Sequence, residues 1–146
     1  MKNITILFLL FISWTRAISC DCDKPEPTVE EIFKMSEVIF TAKVVSINPN
    51  SIKLESYDNF EYEEVNIEIV EVLKGNAIDI KRIINQLSSC GTYLQKGKTY
   101  LFYPFKLGNS NLWMIHQCHK MSGNVKLPYF EAELKELGRL KEINGG

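Results

Sequence analysis

Two cysteines one residue apart, Cys20 and Cys22, stand directly after an apolar leader, and Cys90 and Cys118 follow far along the chain. A cysteine thiolate can ligate zinc, attack a carbonyl or pair as a disulfide, and the redox compartment decides among these. The only histidines, His116 and His119, flank Cys118. On a strand, His116 and Cys118 share a face while His119 points away. A zinc site or a Cys–His nucleophile needs a free thiolate and a third ligand or orienting group. With Cys118 committed to a disulfide, neither can be assembled. Gly-x-Ser-x-Gly, a phosphate-binding glycine loop and His-Glu-x-x-His are all absent. The expectation is a protein that is not an enzyme and has no cofactor or metal of its own.

Compartment is read from the first 19 residues. Lys2 gives a positive start, Ile4 to Trp14 is an apolar run of 11 residues, and Ala17-Ile18-Ser19 supplies the small residues of a cleavage site. Eleven apolar residues fall short of the roughly 20 that a membrane-crossing helix needs. Residues 1–19 therefore read as a signal peptide and 20–146 as a single domain, 127 residues being enough for one core. The leader holds Lys2 and Arg16 and no acid, so its removal leaves 15 basic against 18 acidic side chains, a net charge of −3. Such a balance gives no reason to expect nucleic acid or an anionic membrane as partner. No second long apolar segment follows, so no transmembrane helix is expected, and the protein is placed outside the cytoplasm, secreted or held at the cell surface. Ala17-Ile18-Ser19-Cys20 also reads as a bacterial lipobox, with Ala17 where Leu is usual. Lipidation of Cys20 would leave an odd cysteine, and the even count of four favours disulfides.

Four cysteines allow three pairings. Cys20 with Cys22 would close a strained ring. The other two pairings both staple the amino-terminal tip to Cys90 and Cys118, closing loops worth ~4–5 kcal/mol each in the chain-entropy model. The elements that position this tip follow in order. Thr28-Val29-Glu30-Glu31 matches a capping box that starts a short helix, with Val29, Ile32, Phe33 and Met35 inward. Val38, Phe40, Ala42 and Val44 then alternate as a strand, and Val45 and Ile47 switch parity, which implies a bulge. After the Asn48-Pro49-Asn50-Ser51 turn, residues 51–59 read as a loop or ragged strand. Phe60 to Lys74 is a long strand with Val65, Ile67 and Ile69 on one face and Tyr62, Val70 and Val72 on the other. Its Glu61, Glu63, Glu64, Glu68 and Glu71 read as a solvated edge rather than a metal site.

Ile78 to Leu87 forms a third strand, and the Cys90–Lys98 loop dips Tyr93 and Leu94 inward between glycines. Thr99 to Leu107, apolar at nearly every position, reads as a strand covered on both faces. Leu112 to Ile115 leads a last strand into His116 and Cys118. From about Pro128 to Leu140 a helix carries the stripe Phe130, Leu134, Leu137, with Glu131, Glu133, Lys135, Glu136 and Arg139 facing water. The whole predicts an all-β fold with flanking helices: a five-stranded OB-fold-like barrel, stapled at its amino terminus. A sandwich is the other architecture compatible with the pattern.

Cys20-x-Cys22 after a signal peptide, a short helix, and the strand Val38-Ile39-Phe40-Thr41-Ala42-Lys43-Val44-Val45 together resemble the amino-terminal domain of tissue inhibitors of metalloproteinases and the wider netrin-like modules. Cys90-Gly91-x-x-Leu94-x-x-Gly97-x-x-Tyr100-Leu101 is similar to a second segment of that family. The resemblance implies first-to-third and second-to-fourth disulfides, Cys20–Cys90 and Cys22–Cys118, at separations of 70 and 96. It also implies a mechanism, in which the amine and carbonyl of Cys20 chelate the zinc of a metalloprotease and residue 21 enters a specificity pocket. Asp21 departs from the family, whose inhibitors carry Thr or Ser there. The partner expected is thus a zinc metalloprotease. The alternative is a non-inhibitory module that holds another exported protein through the barrel face or the loop near Asn48–Phe60, anchored by lipid on Cys20 if the lipobox is used.

Overall fold

The structure, a computed structural model, describes residue 20 and residues 22–49, 61–108 and 110–144. The predicted signal peptide, Asp21 and the 51–59 segment lie outside the described residues. Helix α1 is Val29–Met35 and helix α2 is Pro128–Ile143. Between them run β1 (Ile39–Pro49), β2 (Tyr62–Lys74), β3 (Arg82–Gln86), β4 (Thr99–Phe102), β5 (Phe105–Lys106), β6 (Trp113–Ile115) and β7 (Gly123–Asn124). They form one mostly antiparallel sheet in the order β5-β6-β3-β2-β1-β4-β7, with β3 and β6 parallel.

Among the described residues, seven strands replace the five expected. β7 adds a short edge beside β4, and the expected strand 99–107 is divided at Tyr103-Pro104. Proline has no N–H to continue a ladder. The division has a topological consequence. β4 pairs with β1 near one end of the sheet and β5 with β6 at the other, yet only two residues separate them. The sheet must therefore curl to bring those ends together, and it forms a half-barrel. Bulges assist the curl. The predicted parity switch at Val44/Val45 is a register shift between Val44 and Ser46, leaving Val45 exposed and returning Ile47 to the core. In β2 a second shift passes over Val70, so Val72 joins Ile69 against the inner core and Val70 is exposed, contrary to the simple alternation.

Two cores result. Phe40, Ala42, Val44, Val65, Ile67, Tyr100 and Phe102 fill the inside of the curl. Ile39, Leu101 and Tyr103 point outward into a second core with Ile32, Phe33, Phe130, Leu137 and Leu140 of the helices. The strand expected to be covered on both faces is covered in this way, by barrel interior and by helix. The capping box of α1 is formed: Glu31 N donates to Thr28 Oγ1 at 3.3 Å, and Thr28 N donates to Glu31 Oε2 at 2.8 Å. Gly75, at φ +70°, closes β2 where a Cβ would lie 2.2 Å from Glu37 O, so a side chain there would displace the turn.

Several expected orientations are corrected. Met35, at the last turn of α1, is exposed, because Ile32 and Phe33 already complete that face. Tyr93 is 82% exposed and Leu94 alone dips inward. Ile78 is exposed and β3 begins only at Arg82, since Ala77 and Ile80 anchor the preceding turn in the core. Glu63 and Glu133, both expected to face water, are buried.

Replacing Leu137, fully buried between sheet and helix, should test the outer core. Leu137→Ala should lower the unfolding free energy in urea by about 2–5 kcal/mol. Met35→Ala, at an exposed site, should change it by less than about 0.5 kcal/mol. Equal effects would contradict this two-core arrangement.

Candidate functional site

The tip is fixed by Cys20–Cys90 and Cys22–Cys118, with Cα–Cα distances of 4.9 and 5.3 Å. Cys20 Sγ also lies 3.4 Å from Cys118 Sγ, so the two bridges form one compact sulfur cluster. All four sulfurs are used, and no free cysteine remains. Although Cys90, His116 and Cys118 lie close enough to share an ion, cysteine binds zinc as a thiolate, and disulfide sulfurs are poor ligands. The bond to Cys90 occupies the sulfur that a lipid thioether on Cys20 would need. Disulfides of this kind belong to an oxidising, extracytoplasmic environment. Among the described residues no helix is long and apolar enough to cross a membrane.

The anchoring positions are themselves held. Gly91 passes so close to β3 that a Cβ would fall 1.7 Å from Gln86 O, which explains the glycine after Cys90. Asn85, buried in β3, receives Thr92 N at 2.9 Å and donates to Thr92 O at 2.7 Å. It also donates to Glu63 Oε1 at 2.7 Å, which is what turns Glu63 inward from β2. Gln117 N donates to Cys90 O at 3.0 Å, and its side chain donates to Gly91 O at 2.8 Å. The Cys90 loop is thus clamped between β3 and the segment after β6.

Cys118 lies in a turn, not on a strand as expected, because His119 N donates back to His116 O at 3.0 Å. Cys118 N donates to His116 Nδ1 at 3.1 Å, which requires that nitrogen to be unprotonated. His119 stacks on Phe105 at 4.9 Å between ring centroids. Burial lowers the pKa of both histidines, and for His119 the neighbouring His116 adds to it.

Downstream of the tip the arm is tied again. Glu26 Oε1 accepts from Met121 N at 3.2 Å and lies 3.1 Å from Lys120 Nζ. Lys120, 2% exposed, pairs at 2.7 Å with Glu133, 5% exposed, and Tyr103 donates to the same carboxylate at 2.7 Å. Burial pulls the Lys120 pKa down, but hydrogen bonds and charges from Glu133 and Glu26 outweigh it and the net direction is up. Burial first, and then the Glu133 charge, push the Tyr103 phenol well above its ordinary value. This network was not expected. Its only signal in sequence is one acid three residues after Phe130 on the inner side of α2.

The site residues named from sequence are therefore brought together at Cys20, Cys22, Cys90 and Cys118, while Asp21 lies outside the described residues. Comparison with protein-family models finds no match for this chain, and comparison with curated proteins finds none either.

Lys120→Met should leave Glu133 buried without its cation and cost about 3–5 kcal/mol in urea unfolding. Lys120→Met combined with Glu133→Met should recover most of that, and an additive double variant would contradict the pairing. A second outcome concerns pH. Because burial depresses both histidine pKa values, the unfolded chain binds protons that the folded chain does not. Stability should therefore fall as pH drops through the unfolded histidine pKa toward the lower folded values. Measured between pH 8 and 5, the slope should shrink in His119→Gln, and an unchanged slope would contradict the assignment.

Proposed function

We propose that this is a secreted netrin-like protein of the tissue-inhibitor type, which inhibits a zinc metalloendopeptidase through its amino-terminal Cys20. The observation that carries the reading is the rigid tip: Cys20 and Cys22 bonded to Cys90 and Cys118 in the pairing that the resemblance implies. The strand order supports the OB-type barrel of that family. β1, β2 and β3 are antiparallel neighbours, β3 runs parallel to β6, and β6 returns through β5 and β4 to β1. With Thr99–Lys106 counted as one bent strand, this circuit has the five strands of that barrel.

Cleavage before Cys20 would leave its α-amino group and carbonyl free beside a disulfide. Both atoms could then bind the target's zinc and displace the water that attacks the peptide bond. The disulfides hold this wedge in one geometry before binding, so little ordering entropy is lost on docking. The protein acts as a plug and performs no chemistry itself.

Asp21 favours a second reading, a non-inhibitory module that holds another exported protein. A carboxylate entering an apolar pocket loses hydration without a partner.

Inhibition of a panel of zinc endopeptidases by protein starting at Cys20 should be lost when one alanine precedes that residue. Asp21→Thr should strengthen inhibition about tenfold or more, relieving the roughly 1–3 kcal/mol of an unpaired buried polar group. Inhibition unaffected by the extra alanine would exclude the wedge. Binding to a partner that survives the extension would support the second reading.

A further inference from the structure

Two acidic side chains are buried among the described residues, and they differ in one respect. Glu133 has Lys120 against it. Among the described residues Glu63, 8% exposed, has no ion-pair partner, and its carboxylate accepts one hydrogen bond there, at Oε1 from Asn85. A buried carboxylate without a cation is costly unless something supplies one.

Glu63 lies in the wall of an open cavity of about 650 Å³. The rest of the wall is neutral among the described residues: Gln86, Thr92, Tyr93 and Gln117 contribute amide, hydroxyl and phenol groups, and no described lysine or arginine lines it. Thr92, 9% exposed, has a hydroxyl that makes no hydrogen bond among the described residues. Exposed Tyr93 adds an aromatic face to the lining, on which a cation can stack. The cavity also borders the tip, because Ser89 and Gly91 line it and Cys90 between them is bonded to Cys20.

We propose that this cavity is a cation subsite, which takes a lysine or arginine side chain of the polypeptide docked against the amino-terminal tip. Glu63 supplies the opposite charge, Thr92 and Gln86 supply hydrogen bonds, and Tyr93 covers the aliphatic stem. This rests on the first reading above, in which the tip is the docking face.

The test is a ¹⁵N NMR titration of the disulfide-bonded protein with the methylamides of N-acetyl-lysine and N-acetyl-arginine, against that of N-acetyl-norleucine. Saturable shifts at Asn85, Gln86, Thr92 and Gln117 are expected with the two cationic probes and not with norleucine. Glu63→Gln keeps an oxygen for Asn85 and should weaken the cationic probes by about tenfold, the usual advantage of a charge-assisted hydrogen bond. Tyr93→Ala, at an exposed position that the fold does not need, should weaken them about two- to fivefold. It decides the matter if Glu63→Gln fails to fold. Absence of saturable shifts, equal shifts with norleucine, or cation binding untouched by the variants would overturn the subsite. An alanine ahead of Cys20 should leave probe binding intact, so failure of the zinc wedge and failure of this subsite are distinguishable.

Discussion

The two disulfides converge on one point, with Cys20 Sγ 3.4 Å from the sulfur of Cys118 to which it is not bonded. That convergence constrains the rest of the molecule. Cys90 must reach the tip from the end of β3, and Cys118 must reach it from the end of β6. Both strands run parallel and side by side, so their ends present the two cysteines at the same edge. Gly91 lets the Cys90 loop press against β3, and the His116–His119 turn swings Cys118 back. The sheet's curl, set by the two-residue link from β4 to β5, brings the remaining strands beneath. A terminus would ordinarily fray. Here it is covalently joined to the turns that follow β3 and β6.

Buried charge is used in two different ways around this block. At the arm, Lys120 joins Glu26, Glu133 and Tyr103, linking the chain between tip and α1 to the carboxy-terminal helix. Breaking one member leaves the others desolvated and unpaired, which makes the set cooperative. Beside the tip, Glu63 has an amide partner but no cation among the described residues. The first arrangement is closed upon itself, and the second is open toward whatever meets the tip.

Much of this was legible in the sequence, for reasons that can be named. The capping box, the parity switch at Val44/Val45 and the stripe of α2 depend on local spacing, and the structure contains each. The disulfide pairing was accessible only through family resemblance, since spacing alone left two arrangements open. What was illegible depends on contacts between distant segments. Glu63 and Glu133 look like solvated residues because the Asn85 and Lys120 that bury them lie 22 and 13 residues away. Thr99 to Leu107 read as one unbroken strand, and that its break at Pro104 joins opposite ends of the sheet is a property of topology. Val70 lost its expected face to a second bulge, which alternation cannot foresee.

The central claim is that a free Cys20 amine is presented by two disulfides of defined pairing. Non-reducing peptide mapping with intact mass, on protein exported by a cell that processes the leader, measures it directly. The account predicts a chain beginning at Cys20 with an unmodified amine, one linked peptide pair containing Cys20 and Cys90, and another containing Cys22 and Cys118. A chain with residues left ahead of Cys20, an acylated Cys20, or the crossed pairing of Cys20 with Cys118 would contradict it.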